Sequence, residues 1–243
     1  MKILVCISHV PDTTSKINFI DNNTKFDTSG VQFIIGPYDD YALARAIELK
    51  ETSGAAVTVL NVGLAETEPT IRKALAIGAD DAIRVNADPT DSFFVATQIA
   101  QNASGYDLIL MGRESIDFNS GVVHAMVAEI LGIPAVSPVM KLDIDGTKVK
   151  MEREIEGGKE LVEASLPLVA GCQEPIAEWK IPNMRGIMSA RTKPLKVVEP
   201  KAADGFVKGQ KFELPPPKGA VQMIAADQVG ELVAKLKNEA KVL

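Results

Sequence analysis

Between Gly112 and His124 the chain reads GRESIDFNSGVVH. An apolar run, YDLILMG, feeds this polar loop, which opens into the amphipathic stretch GVVHAMVAEILG. Glycine, serine and asparagine at a strand-to-helix turn can present backbone N–H groups and a hydroxyl to a phosphate. The helix N-terminus adds unpaired donors and about half a positive charge. The loop has no Walker lysine, no nucleophile with a base beside it and no metal-ligand cluster. Its chemistry is therefore that of holding an anion. The same residues also describe a plain βα loop with good capping residues, and local sequence leaves both readings open.

Other residues with chemical potential are few. Asn61-Val62-Gly63-Leu64 ends an apolar run, where small residues would let an adenine ring lie against backbone; a tight turn needing glycine explains them as well. Of the two histidines, His9 follows the first strand and could touch a ligand at the same sheet edge. His124 falls in the first turn of the helix after the loop, as a possible cation beside a phosphate. Cys6 and Cys172 lack the companions that a structural zinc or an iron–sulfur cluster needs, and read as buried small apolar residues. Glu152-Arg153-Glu154-Ile155-Glu156 reads as a solvated strand. No carboxylate pair stands apart from surface charge, so the chain reads as a nucleotide binder without a catalytic apparatus and without a metal.

The elements that must position these residues alternate along the first two-thirds of the 243-residue chain. KILVCIS, AAVTVLNVG, DAIRVNA and YDLILMG are short apolar runs of buried-strand character. Between them YDDYALARAIELKETSG, TEPTIRKALAIGAD and DSFFVATQIAQNAS have apolar residues at helical spacing, with a stop at Gly54, Pro69 in the first turn of the second and an aspartate near the start of the third; GVVHAMVAEILG follows the last strand and stops at Gly132. The β-α-β-α-β-α-β-α order predicts an α/β fold, a doubly wound, mostly parallel, Rossmann-like sheet. After Pro134 two alternating runs around Asp145-Gly146 signal a hairpin. With the polar turn at Gly157-Gly158 and the LPLVAGC run, they predict strands added to the sheet's edge. From Trp179 onward, prolines interrupt charged sequence until the amphipathic AADQVGELVAKLKNEAKVL. This divides the chain into a nucleotide-binding domain, 1–180, and an arm, 181–243, that has no core of its own and lies along another surface.

The net charge of −6 argues against nucleic-acid binding. No apolar run approaches the roughly 18 residues of a membrane span, so no membrane insertion is expected. The N-terminus lacks a signal-peptide pattern, which predicts a cytoplasmic or equivalent location.

Taken in order, KILVCISHVPD, TIRKALAIGAD, LILMGRESID, MEREIEGGKELVEASLPLV and IMSARTKPL resemble the β subunit of electron-transfer flavoproteins. The ERE-I-x-GG-x-E…LP-x-V segment and the IM-x-A-(K/R) signature are the most specific matches. The resemblance implies a heterodimer in which an α subunit carries a redox-active FAD and the β subunit holds a structural AMP. The pair would accept electrons from flavin-containing dehydrogenases, including those of fatty acid oxidation, and pass them to a quinone oxidoreductase or another acceptor. By resemblance the AMP environment falls on Cys6, on Gly36, Pro37, Tyr38 and Asp39, on Val62, and on the loop Gly112, Arg113, Glu114, Ser115, Ile116, Asp117, Phe118, Asn119, Ser120, Gly121, Val122 and Val123. Tyr38 and Thr13 fall where the family faces the α-subunit flavin. Where many members carry Gln, Thr or Val and then Gly, this chain has Val122, Val123 and His124, so the phosphate would rest on backbone, Ser120 and His124.

By the same resemblance, Ile181, Pro182, Asn183, Met184, Arg185, Gly186, Ile187 and Met188 form a recognition segment for partner dehydrogenases, with Met184 as its apolar anchor. Bounded by Pro182 and Gly186, that anchor is expected on a loop. Two alternatives stand beside this reading. One is an electron-bifurcating member with FAD in this subunit. The other is a free-standing adenine-nucleotide-binding or hydrolysing protein, which would want a phosphate loop such as SGGxDS where this chain has SHVPDTT.

Overall fold

The computed structural model describes residues 1–243. Its elements run β1 (Lys2–Cys6), β2 (His9–Pro11), β3 (Phe19–Ile20), β4 (Lys25–Phe26), β5 (Phe33–Ile35), α1 (Pro37–Ser53), β6 (Ala56–Val62), α2 (Glu68–Ile77), β7 (Asp81–Val85), α3 (Ser92–Asn102), β8 (Leu108–Gly112), α4 (Val123–Leu131), β9 (Ala135–Asp145), β10 (Lys148–Ile155), β11 (Gly158–Ser165), β12 (Leu168–Cys172), α5 (Met184–Ala190), β13 (Leu195–Val198) and α6 (Val229–Asn238). Nine strands form one sheet in the order β11-β10-β9-β12-β8-β1-β6-β7-β13. The pairs from β9–β12 through β7–β13 are parallel, and β9-β10-β11 form an antiparallel meander at one end. The doubly wound α/β architecture predicted from the alternation is the one found.

Helices cover both faces of the parallel part, which is why KILVC and LILMG are buried almost throughout and show no polar alternation. Ile3, Val5, Val57, Val59 and Leu108 pack with α1 and α2 through Leu43, Ile47, Ile71 and Leu75. On the opposite face Leu4, Cys6, Leu60, Val62, Val85 and Met111 pack with α3 and α4 through Ala96, Ile99, Val127 and Ala128. The glycines expected to end helices do so: Gly54 and Gly132 are left-handed caps at φ 69° and 66°. No helix is long and apolar enough to cross a membrane.

Two placements differ from the sequence expectation. LPLVAGC does not join the edge: β12 runs between β8 and β9, parallel to both, with Leu168 to Cys172 fully lined by neighbours. Its uninterrupted apolar character suits an interior strand, and the chain reaches it by returning past the β9-β10-β11 meander. Second, Leu195–Val198, within the stretch expected to leave the sheet, pairs in parallel with β7 and closes the far edge.

Beyond Val198 the chain forms no further sheet, and α6 buries none of its residues. The arm is tied down at a few points. Gln98 and Lys201 exchange hydrogen bonds of 2.8 and 2.9 Å. Phe206 packs on Phe93, and Phe212 stacks on Phe19 of the β3–β4 hairpin at 5.0 Å between centroids. The main tie is Asp91. One carboxylate oxygen caps α3 by accepting from Phe94 N at 2.6 Å, and the other accepts from Phe206 N and Val207 N. These three donors, set against partial burial, hold its carboxyl below the usual range. Asp91→Ala removes the cap and both arm contacts. It should cost about 1–2 kcal/mol of stability and expose residues 199–215 to limited proteolysis; an unchanged cleavage rate there would refute the tether.

Candidate functional site

The carboxyl ends of β1, β6 and β8, where a doubly wound sheet offers its ligand crevice, carry Cys6, Val62 and Met111, all buried. Asp39, in the first turn of α1, lies between two of these strand ends. It accepts from Ser8 N at 2.8 Å and Ser8 Oγ at 2.5 Å on one oxygen, and from Gly112 N at 2.9 Å on the other. One carboxylate thus ties the end of β1 to the end of β8. Burial raises its pKa from the ordinary 3.8 to about 6, against the lowering effect of the Ser8 and Gly112 hydrogen bonds. Gly36 and Gly112 are required by this contact: a Cβ at Gly36 would lie 2.4 Å from Ser8 Oγ, and one at Gly112 would lie 2.5 Å from Asp39 Oδ1.

The loop from Gly112 to Val123 leaves β8 and rises over the crevice. Asn119 at φ 51° and Gly121 at φ 60° are left-handed, and they turn the chain into α4. Val122 offers no side-chain cap, so the first N–H groups of α4 have no such partner. Ser120 Oγ lies 3.1 Å from Ser92 Oγ, at the crevice side of α3. Ser115 Oγ is buried without a hydrogen-bond partner. Arg113, Glu114, Gly121, His124, Ser137 and Pro138 line a polar cavity of about 270 Å³ beside the start of α4. Ile116 is half-buried, while Asp117 and Phe118 are exposed at the loop tip.

Tyr38 and Arg113 stand at the mouth of the crevice, with the guanidinium 5.3 Å above the ring. Arg113 donates to Gln173 Oε1 at 2.8 Å, and Gln173 donates to Glu154 Oε2 at 2.6 Å. The charge run on β10, expected to be solvated, is thereby linked through Glu154 to the crevice mouth. Local sequence carried no signal for this link, nor for Ser8 and Ser137, because each contact spans distant segments.

The histidines, Gly63 and the two cysteines are all engaged within the fold. His124 is buried, and its pKa lies below the usual imidazole value because of that burial. That burial works against the cation expected at the phosphate turn. His9 stacks on Phe33 at 4.4 Å and bonds Thr70 Oγ1 at 2.8 Å, which is a packing role between β2, β5 and α2. A Cβ at Gly63 would meet Thr67 Cγ2 at 2.4 Å and Asn61 Oδ1 at 2.7 Å, so the turn itself requires that glycine. Both thiols are buried and unpaired. Burial pushes Cys172 up to about 12 and Cys6 higher still, and neither is a thiolate.

Met184, expected on a loop, instead opens the helix α5. Asn183 caps α5 by accepting from Gly186 N at 2.8 Å. Gly186 lets the helix lie on α2, since a Cβ there would fall 2.2 Å from the carbonyl oxygen of Ala76. Arg72 Nη1 donates to Ala190 O and Lys193 O at 2.8 and 2.7 Å, and Lys193 Nζ returns to Leu75 O at 2.9 Å. The outward side is apolar: Ile181 is 76% exposed, Met184 74% and Met188 68%, with Ile187 and Trp179 also exposed.

Residues 23–203 match the family model described as the electron transfer flavoprotein domain. The chain belongs to the electron transfer flavoprotein family. It is 36% identical over 259 residues to the electron transfer flavoprotein subunit beta of Bacillus subtilis (strain 168), spanning 100% of both chains. It is 39% identical over 224 residues to that of Syntrophomonas wolfei, spanning 90% of this chain and 88% of the relative. The subunit beta of Bradyrhizobium diazoefficiens is 30% identical over 249 residues and all of both chains. The resemblance carried by the ERE and IM-x-A-R segments thus pointed to the right family.

For this family member the Asp39 clamp gives a signed pH dependence. Asp39 titrates near 3.8 unfolded and about 6 folded. Between those values the folded state holds a proton that the unfolded state has released, so this group's contribution to stability falls as pH rises through the window and is level above it. Asp39→Asn lacks that titration and loses a charged acceptor. Denaturant unfolding should therefore show the wild-type advantage widest near pH 4 and narrowing towards pH 7. A gap that widens with rising pH would overturn the assignment.

Proposed function

We propose that this chain is the β subunit of a heterodimeric electron-transfer flavoprotein. It holds a structural AMP, docks flavin dehydrogenases through α5, and carries no turnover of its own. The redox FAD belongs to the partner α subunit, and electrons pass on to a quinone oxidoreductase or another acceptor. What carries the reading is similarity to β subunits along the whole chain, arm included.

The crevice fits a mononucleotide. Small and apolar residues at the strand ends, Cys6 and Val62, suit the face of an adenine. The uncapped N–H groups of α4, the left-handed turn at Asn119 and Gly121, and Ser120 suit a phosphate. The partnerless Ser115 hydroxyl is a further unused donor in the same loop. His124 lines the cavity beside this turn. AMP would add its own negative charge to the helix N-terminus and so fasten the loop between β8 and α4. The arm, which has few ties to its own domain, supplies the surface that wraps the α subunit.

Denaturing the purified complex and counting released nucleotides tests the ligand: one AMP and one FAD per heterodimer are expected. Two FAD and no AMP would replace the reading with that of a bifurcating member. Ser120→Ala removes a hydrogen bond to a charged group, about 1.5–3 kcal/mol, and should weaken AMP retention about tenfold or more. Undiminished AMP content after dialysis would move the phosphate elsewhere.

Docking makes a separate demand. Met184 has little contact within this chain, so Met184→Ala should leave assembly, flavin content and dithionite reduction intact. As an interface anchor worth about 2 kcal/mol, its loss should raise the apparent KM in a dehydrogenase-coupled assay by roughly thirtyfold. Unchanged coupled kinetics would remove α5 from the docking surface.

A further inference from the structure

Of the eight methionines in the chain, Met111 and Met151 are buried, whereas Met184 and Met188 stand 74% and 68% exposed on one seven-residue helix. Their spacing of four residues places the two thioethers one above the other on the same face. Gly186 and Ala190 share that spacing about half a turn away and form the side held against α2. The helix therefore keeps its packing and its reactive sulfurs on opposite sides. A chemical change at the two sulfurs alters only the surface that α5 shows to solvent.

Leucine would serve an apolar docking face as well in shape, but only the thioether can be converted reversibly into a polar group. We propose that Met184 and Met188 form a paired methionine-oxidation site, at which conversion to sulfoxide by hydrogen peroxide switches off docking through α5. This rests on the docking role of α5 argued above. In each step the thioether sulfur gives up two electrons and takes one oxygen atom. The peroxide O–O bond breaks, an S–O bond forms, and the second oxygen leaves as water with both peroxide protons. Hydrogen peroxide is the two-electron product of a reduced flavin meeting dioxygen, so a flavin carrier is a place where it arises. The sulfoxide oxygen is a strong acceptor, and burying it in an apolar pocket without a donor is unfavourable. Reduction of the sulfoxide restores the original face.

The test uses the full complex of this chain with its flavin-bearing partner, exposed briefly to hydrogen peroxide. Peptide mass spectrometry should find sulfoxide at Met184 and Met188 well before Met111 and Met151. The apparent KM in a dehydrogenase-coupled assay should rise by about tenfold or more, with the melting temperature and dithionite reduction unmoved. Treatment with methionine sulfoxide reductases of both stereospecificities should bring the KM back. The double variant Met184→Leu, Met188→Leu retains the exposed Met1 and Met223. Whatever KM it starts from, peroxide should not change it. Full oxidation of both residues with the KM unmoved overturns the proposal, as does a leucine variant that peroxide still impairs. These outcomes are separate from failure of the docking role itself, which shows in untreated protein as a Met184→Ala variant with unaltered kinetics.

Discussion

The carboxylate of Asp39 gathers Ser8 N, Ser8 Oγ and Gly112 N, and the rest of the crevice is arranged around that contact. A buried carboxylate is costly in isolation, and the raised pKa records that cost. What offsets it is that two backbone N–H groups at the ends of β1 and β8 would otherwise face a buried site without partners. The clamp also fixes sequence on both sides. Gly36 before α1 and Gly112 at the end of β8 cannot carry a side chain while the carboxylate lies between them. Two residues that look like ligand-hugging glycines are thus explained first by an internal hydrogen-bond cluster. Any nucleotide then meets a crevice whose strand ends are already tied together.

Much of the architecture was legible because it rests on local periodicity. Apolar runs such as KILVC and LILMG, helical spacing in α1 to α4, and the stops at Gly54 and Gly132 depend on neighbours within a turn or a strand. Asp91 was readable as a helix start for the same reason. The insertion of β12 between β8 and β9 was not, since strand order is a property of distant pairing. The four residues of β13 are too few for a pattern. In α5, Pro182 and Gly186 look like breakers in sequence. In space the first precedes the Asn183 cap and the second removes a clash with Ala76 O.

The site divides in the same way. Small and polar residues around Ser120 and Gly121 pointed to a left-handed turn into a helix with free N–H groups, because that geometry is written within one loop. The state of His124 was written elsewhere. It depends on Ser137 and on Gly171, whose absent side chain leaves the imidazole room: a Cβ there would lie 3.2 Å from His124 Cδ2. Burial between those segments lowers the ring's pKa, an effect of distant residues that the loop sequence does not carry. The Arg113–Gln173–Glu154 chain likewise unites three segments that no motif joins.

Two kinds of exposed apolar surface coexist in this molecule, and their mechanical settings differ. The arm after Val198 is held by single contacts, chiefly Asp91 and two aromatic pairs, so its surface can adjust and the cost of ordering it falls on whatever it meets. Helix α5 is held against α2 by Arg72, Lys193 and the close approach at Gly186, so its apolar face is presented already ordered. An ordered face loses less conformational entropy per encounter and suits brief, repeated docking. An adjustable arm suits a partner engaged once and kept. Under the proposed function, this difference in tethering suits the arm to the permanent subunit contact and α5 to the transient one.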